Sequence, residues 1–230
     1  MSTPSSETSS GKPSSSKVSL SDALSDGPAV YIDFKNPKAY LALRPTFALE
    51  DELDIALDWW PVPVTAMSRP QPEQPNEDRG TRHRRIRAGY YERDLHRYAS
   101  VYGIELADLY RNPDVAVASI GMLWVKERAR ESLREYVDAV FGRYWQQRLA
   151  LDDAGAIEAL IGEFGVDTAG FRTYASGEGR ALLDRTAAAL REAGIFDVPA
   201  YVVEREIFFG RAHLPMVRWL LTGKAGEPPI

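Results

Sequence analysis

Cysteine is absent from the 230 residues. That removes disulfide exchange, thiolate nucleophiles and thiolate metal sites from the chemistry this chain performs with its own side chains. Histidine is scarce. His83, His96 and His213 are the only three, and no two stand at the i, i+4 spacing of a helical metal pair, so no metal is expected. Positive charge is not in excess either: 28 Lys and Arg face 33 Asp and Glu, for a net charge of -5. A nucleic-acid partner, whose usual footprint is a basic face, is not expected. No apolar run reaches the roughly 18 residues that span a bilayer, and the opening "MSTPSSETSSGKPSSSK" lacks the apolar centre of a secretory signal. The expectation is a cytoplasmic protein without a membrane partner.

What is present suits one globular unit with room for a large insertion, because 44% of the residues are hydrophobic. Residues 1–26 are rich in Ser and nearly free of large apolar side chains, and read as a disordered tail. From Ala29 the texture changes, and "AVYIDF" reads as a buried strand. Asn36 is a favoured N-cap and Pro37 a tolerated first-turn residue. Tyr40, Leu41, Leu43 and Phe47 continue as a helical stripe.

Residues 53–62, "LDIALDWWPV", alternate Leu53, Ile55 and Leu57 with polar or small residues and predict a second strand. Strand, helix, strand with short joins is a parallel βαβ unit. Five Pro between 61 and 80 mark a long loop. Helical patterns then cover 82–102, 114–129, 131–150, 153–164 and 167–175. Within them Leu133, Tyr136, Val137, Val140, Phe141, Tyr144 and Trp145 fall at three-four spacing. A last long helix over 177–193 stops at Gly194. Strands at 197–203 and 206–210 form a hairpin, and a helix over 213–221 follows.

The order predicts an α/β protein with a thioredoxin-like fold (βαβ…ββα) carrying a large all-helical insertion. Residues 27–80 and 177–224 form the two halves of the thioredoxin-like domain, 81–176 the insertion and 225–230 a tail.

Four stretches, spread from about residue 29 to 221, resemble one family: "YIDFKNPKAYLAL", "YYERDLHRYASVYGI", "VFGRYWQQRLALDDAGAI" and "AGIFDVPAYVVEREIFFGRAHL". The likeness is to the DsbA-like thioredoxin-fold family, on the branch of 2-hydroxychromene-2-carboxylate isomerase and kappa-class glutathione transferase. The resemblance implies a site where the first helix begins. Asn36 takes the position of a Ser that supports the thiolate of glutathione, and Lys38 the position of the second Cys in redox relatives. Asn cannot ionise usefully, but its amide donates hydrogen bonds to an anion, and the Lys38 ammonium adds positive charge to the same helix start. Asn36 and Lys38 are therefore the candidate catalytic pair.

The same resemblance implies ligand contacts at Pro37, at a cis Val198–Pro199 peptide, at Gly210 and at Arg211. Arg211 and Ala212 stand where the transferase pattern has Ser and Asp, so the carboxylate for a ligand ammonium is missing there, and Arg211 is free to hold a substrate carboxylate. Asp197 replaces a usual Gly. Trp59 and Trp60 read as a core pair, "RHRRIR" at 82–87 as a solvated helix face and "SGEGRA" at 176–181 as a turn. The implied function is thiol-dependent isomerisation of an aromatic-derived carboxylate, with glutathione or another low-molecular-weight thiol as cofactor, a small-molecule substrate and a homodimer as the assembly. The alternatives are a catalytically inactive small-molecule or peptide binder and a glutathione transferase-like thiol transferase.

Overall fold

A computed structural model describes residues 27–229; the expected Ser-rich tail over 1–26 lies outside the described residues. Strand β1 (Ala29–Ile32) is buried along its whole length and forms the second position of a four-stranded sheet ordered β2-β1-β3-β4. It runs parallel to β2 (Asp58–Pro61) and antiparallel to β3 (Ala200–Val203), and β4 (Glu206–Phe209) closes the far edge as the expected hairpin partner of β3. Helix α1 (Pro37–Leu53) makes the β1-to-β2 crossover.

Between β2 and β3 lie α2 (Arg79–Tyr102), α3 (Ala116–Arg128), α4 (Leu133–Trp145), α5 (Ala154–Glu163), α6 (Phe171–Ser176) and α7 (Glu178–Glu192). Helix α8 (Leu214–Leu221) follows the hairpin. The α/β layout with a spliced helical unit is as the sequence predicts.

The stripe of α4 is realised in full, with Leu133, Tyr136, Val137, Val140, Phe141, Tyr144 and Trp145 all buried. Each such side chain contributes about 1.5–3 kcal/mol through the apolar surface it removes from water. The insertion is fused to the sheet domain rather than appended to it. Tyr40 of α1 stacks on Phe141 and Trp145 at 5.4 and 6.1 Å. Lys126 of α3 reaches β2, 2.8 Å from Asp58 and 3.0 Å from the Trp59 carbonyl, with its ammonium 3.3 Å from the centre of the Trp60 ring. Burial pulls Lys126 down to about 8 against the opposing attraction of Asp58.

Two expected elements are corrected. The strand predicted over 53–62 is only Asp58–Pro61, because helix α1 continues through Leu53. Asp54 turns the chain into the left-handed region (φ 51°), and Glu50, held near the end of the helix, accepts the Leu57 N–H at 2.8 Å and Trp59 Nε1 at 3.0 Å. Leu53 thus belongs to a helical stripe with Leu49, not to an alternating one. The single helix predicted over 131–150 is a 3-10 turn (Arg130–Ser132) followed by α4, which stops at Trp145. Gln147 at φ 59° ends it, and the Arg148 N–H folds back onto the Arg143 carbonyl at 2.8 Å. In contrast α2 starts three residues earlier than expected, capped by Asp78 onto the Thr81 N–H at 3.0 Å.

Candidate functional site

The site is assembled where β1 ends. Asp33 is buried and makes three contacts: it accepts from the Lys35 N–H (3.1 Å) and the Val64 N–H (2.8 Å), and it pairs with the buried Lys35 ammonium at 3.0 Å. Burial pushes the Asp33 carboxyl up, and Lys35 opposes that push. The turn this fixes is closed by the Asn36 N–H on the Asp33 carbonyl at 2.9 Å, which sets Asn36 at the head of α1. Asn36 is the predicted N-cap: its Oδ1 accepts from Lys38 N at 2.9 Å and Ala39 N at 3.4 Å.

That geometry divides the helix start into two parts. The backbone N–H groups of Lys38 and Ala39 already have an acceptor in the Asn36 side chain, so the charge this helix start brings to the space beside it is the Lys38 ammonium, which is paired with Asp197. Removing the cap by Asn36→Ala is expected to cost about 1 kcal/mol, and Asn36→Ser, which keeps a capping oxygen, only a few tenths. Urea unfolding of the two variants checks this, and equal losses would show that the cap is not what Asn36 supplies to the fold.

Above the helix start lies a cleft of about 750 Å³ between the sheet domain and α2. Lys38, Val198, Gly210 and Arg211 all line it, so the structure gathers four of the predicted site residues in one place. Asn36, Pro37 and Pro199 do not line it; Asn36 and Pro37 lie buried at the head of α1. The Val198–Pro199 peptide is cis, as expected. The Gly210 N–H donates to the Pro199 carbonyl at 2.8 Å, tying the two predicted loops together. Gly210 sits at φ 86° and ψ 155°, a backbone region open essentially to glycine alone.

Trp59 and Trp60 do not reach the cleft. Trp59 is core against Phe47, and Trp60 donates to Asp58 at 2.6 Å.

Several cleft residues went unforeseen. Asp197 accepts the Val198 N–H at 2.9 Å and also pairs with Lys38, so the departure from the family pattern lies at the centre of the site. The opposite wall belongs to α2, which presents Tyr90, Tyr91, Asp94, Leu95, Tyr98 and Tyr102. Only Leu95 and Ala99 of its 24 residues are buried, and this is what leaves an aromatic face for the cleft. The signal was in the sequence as Tyr91, Tyr98 and Tyr102 at helical spacing within "YYERDLHRYASVY". Arg211 lies over the Tyr98 ring at 3.6 Å and 3.7 Å from Asp94.

The cleft therefore has aromatic walls, two cations and two carboxylates. Such a lining favours a planar ligand that carries charges of both signs, or an aromatic carboxylate bound beside a charged cosubstrate.

A family model of the DSBA-like thioredoxin domain matches residues 29–221. The chain is 25% identical over 189 residues to a 2-hydroxychromene-2-carboxylate isomerase of Pseudomonas putida, covering 81% of this chain and 90% of that one. Among solved structures, a 2-hydroxychromene-2-carboxylate isomerase superposes with a TM-score of 0.65 at 22% identity, over 85% of this chain and 94% of that one. A probable DsbA oxidoreductase of Streptomyces coelicolor superposes with a TM-score of 0.62 at 17% identity, over 88% and 92%. These structural likenesses are likenesses of fold. Among the described residues no helix is long and apolar enough to cross a membrane.

Proposed function

The chain belongs to the DSBA-like thioredoxin domain family, and from that premise we propose that it is a 2-hydroxychromene-2-carboxylate isomerase-like enzyme. It acts with a glutathione-type thiol on an aromatic-derived carboxylate, with no nucleophile of its own. The observation that carries this reading is the cleft itself, where Lys38 from the helix start and Arg211 from the far turn face an aromatic wall of tyrosines.

The residues fit a small peptide thiol. There is room for it, Val198 and the open Gly210 turn border the space, and both signs of charge are present. Such a thiol, when bound, supplies reversible addition to a conjugated double bond, which lets that bond rotate. The chain's part is to bind, orient and polarise. Lys38 stabilises negative charge at the helix start, where the dipole of α1, capped by Asn36, acts in the same direction. Arg211, with its guanidinium 3.6 Å from the centre of the Tyr98 ring, offers its N–H groups to a carboxylate. The tyrosines of α2 stack on the aromatic portion and exclude water.

Calorimetric titration with glutathione, together with a spectroscopic assay of 2-hydroxychromene-2-carboxylate isomerisation, tests the reading. Binding plus thiol-dependent isomerisation is expected. Saturation by the substrate with no turnover at any thiol concentration would overturn it and favour the second reading, a non-catalytic binding protein. That second reading has one observation in its favour: Asn36 Oδ1 already occupies the helix-start N–H groups that a thiolate would otherwise use.

A further inference from the structure

A second cavity, of about 180 Å³, shares no lining residue with the cleft. It opens between the C-terminal end of α1, the start of β2 and the first turns of α4. Leu57, Trp59, Leu133 and Val137 are buried and give it apolar walls, and Glu50, only 8% exposed, lines it among them. Glu50 is half satisfied. Its Oε1 accepts both the Leu57 N–H and Trp59 Nε1, at 2.8 and 3.0 Å. Among the described residues nothing donates to Oε2, and that oxygen is not sealed from solvent, so it opens on the cavity. Burial raises the Glu50 carboxyl, against its two hydrogen bonds and the attraction of Arg134. Arg130 and Arg134 also line the opening, paired with Asp58 and Asp51.

A carboxylate oxygen in apolar surroundings calls for a donor, and this cavity has room for a donor with an apolar body attached. About 150 Å³ is enough for one benzene ring, so the space here takes a six-membered ring and one or two further atoms. The flat indole of Trp59 on the wall suits such a ring. Charge decides the kind of donor. Two guanidiniums stand at the same opening, and that of Arg134 already acts on Glu50, so an added ammonium meets like charge where a neutral hydroxyl does not. A phenolic O–H keeps its proton at neutral pH and can give it in a hydrogen bond. We propose that this cavity is a second ligand site, for a small monocyclic phenol whose O–H donates to Glu50 Oε2 and whose ring lies against Trp59, Leu133 and Val137. The site is independent of the thiol reading of the cleft and stands or falls without it.

The test titrates the full chain by calorimetry with phenol, with anisole, which keeps the ring and the oxygen but has no proton to donate, and with benzylamine, which carries an ammonium. Phenol is expected to bind with a Kd of about 1 mM and anisole about tenfold more weakly, the low end of one hydrogen bond to a charged group. Benzylamine is expected to bind no more tightly than anisole. Glu50 is left in place, because replacing it would also release Leu57 and Trp59. The blocking variant is Ala56→Phe, at an exposed position on the lining, which is expected to abolish phenol binding. The Trp59 indole N–H resonance, joined to the site through Glu50, is expected to shift with phenol in the wild type and to stay still in Ala56→Phe. No phenol binding at tens of millimolar, equal affinity for phenol and anisole, tighter binding of benzylamine, or phenol binding that survives Ala56→Phe would each overturn the site.

Discussion

Asp33→Ala is expected to destabilise the protein by about 3–5 kcal/mol, the cost of leaving a buried charge without its partner. Lys35 is 7% exposed and Asp33 fully enclosed, so the Lys35 ammonium has no water to replace the lost carboxylate. The same change strands the buried Lys35 N–H, a donor worth about 1–3 kcal/mol when unsatisfied, and the half-buried Val64 N–H, worth less. Burial of the Asp33 carboxylate works against this stability. Its folded pKa is raised, chiefly by burial, so the folded chain holds the proton to higher pH than the unfolded one. That linkage contributes below the unfolded value of 3.8 and is lost as pH rises through the folded pKa. What Asp33 adds at neutral pH is its hydrogen bonds and its pairing with Lys35.

The double variant Asp33→Asn, Lys35→Met separates the two contributions, since Asn keeps an acceptor and Met removes the buried charge. It is expected to recover most of the loss in chemical denaturation. A loss below about 1 kcal/mol for Asp33→Ala alone would show that water reaches Lys35 and that the turn is not held as described.

This buried pair also shows where the sequence was legible and where it was not. The sheet, the crossover and the α4 stripe rest on local patterns, namely apolar runs, three-four spacing and cap residues, and those patterns are short-range. The head of α1 was legible for the same reason, because Asn36 and Pro37 act on the turn they sit in. The Asp33–Lys35 pair escaped notice since two opposite charges two residues apart look like surface until tertiary packing covers them.

The cleft's far wall was harder still. Asp94 and Arg211 are separated by more than a hundred residues, and their proximity follows from how α2 lies across the sheet domain, which no periodicity encodes. Asp197 stood in the sequence only as a replacement for a usual Gly at the start of an expected strand. Its importance depends on Lys38, 159 positions away along the chain. The false strand at 53–57 has the opposite origin: the alternation Leu53, Ile55, Leu57 is real, but the cap at Asp54 and the Glu50 carboxylate override it.

The Lys38–Asp197 pair gives the largest effect on chemistry. On the proposed reading, Lys38→Ala is expected to raise the pKa of a thiol bound at the helix start by about one to two units and to slow turnover about a hundredfold. An ammonium near 4 Å from a thiolate is worth about 4 kcal/mol at the effective dielectric of a protein surface, and each pKa unit corresponds to about 1.36 kcal/mol. The full Coulomb attraction is not available, because Asp197 already neutralises part of the Lys38 charge.

Asp197→Asn should therefore act in the opposite direction. It removes the counter-charge, preserves an acceptor for the Val198 N–H and leaves the Lys38 ammonium to act on the thiol alone, lowering the thiol pKa. The pH dependence of thiolate ultraviolet absorbance, recorded with bound glutathione for the wild type and both variants, reads these shifts directly. Opposed shifts place the reacting sulfur within the field of Lys38. Shifts of the same sign, or none, would mean that the sulfur lies elsewhere in the cleft and that the Lys38–Asp197 pair fixes the Val198 turn instead of tuning a thiol.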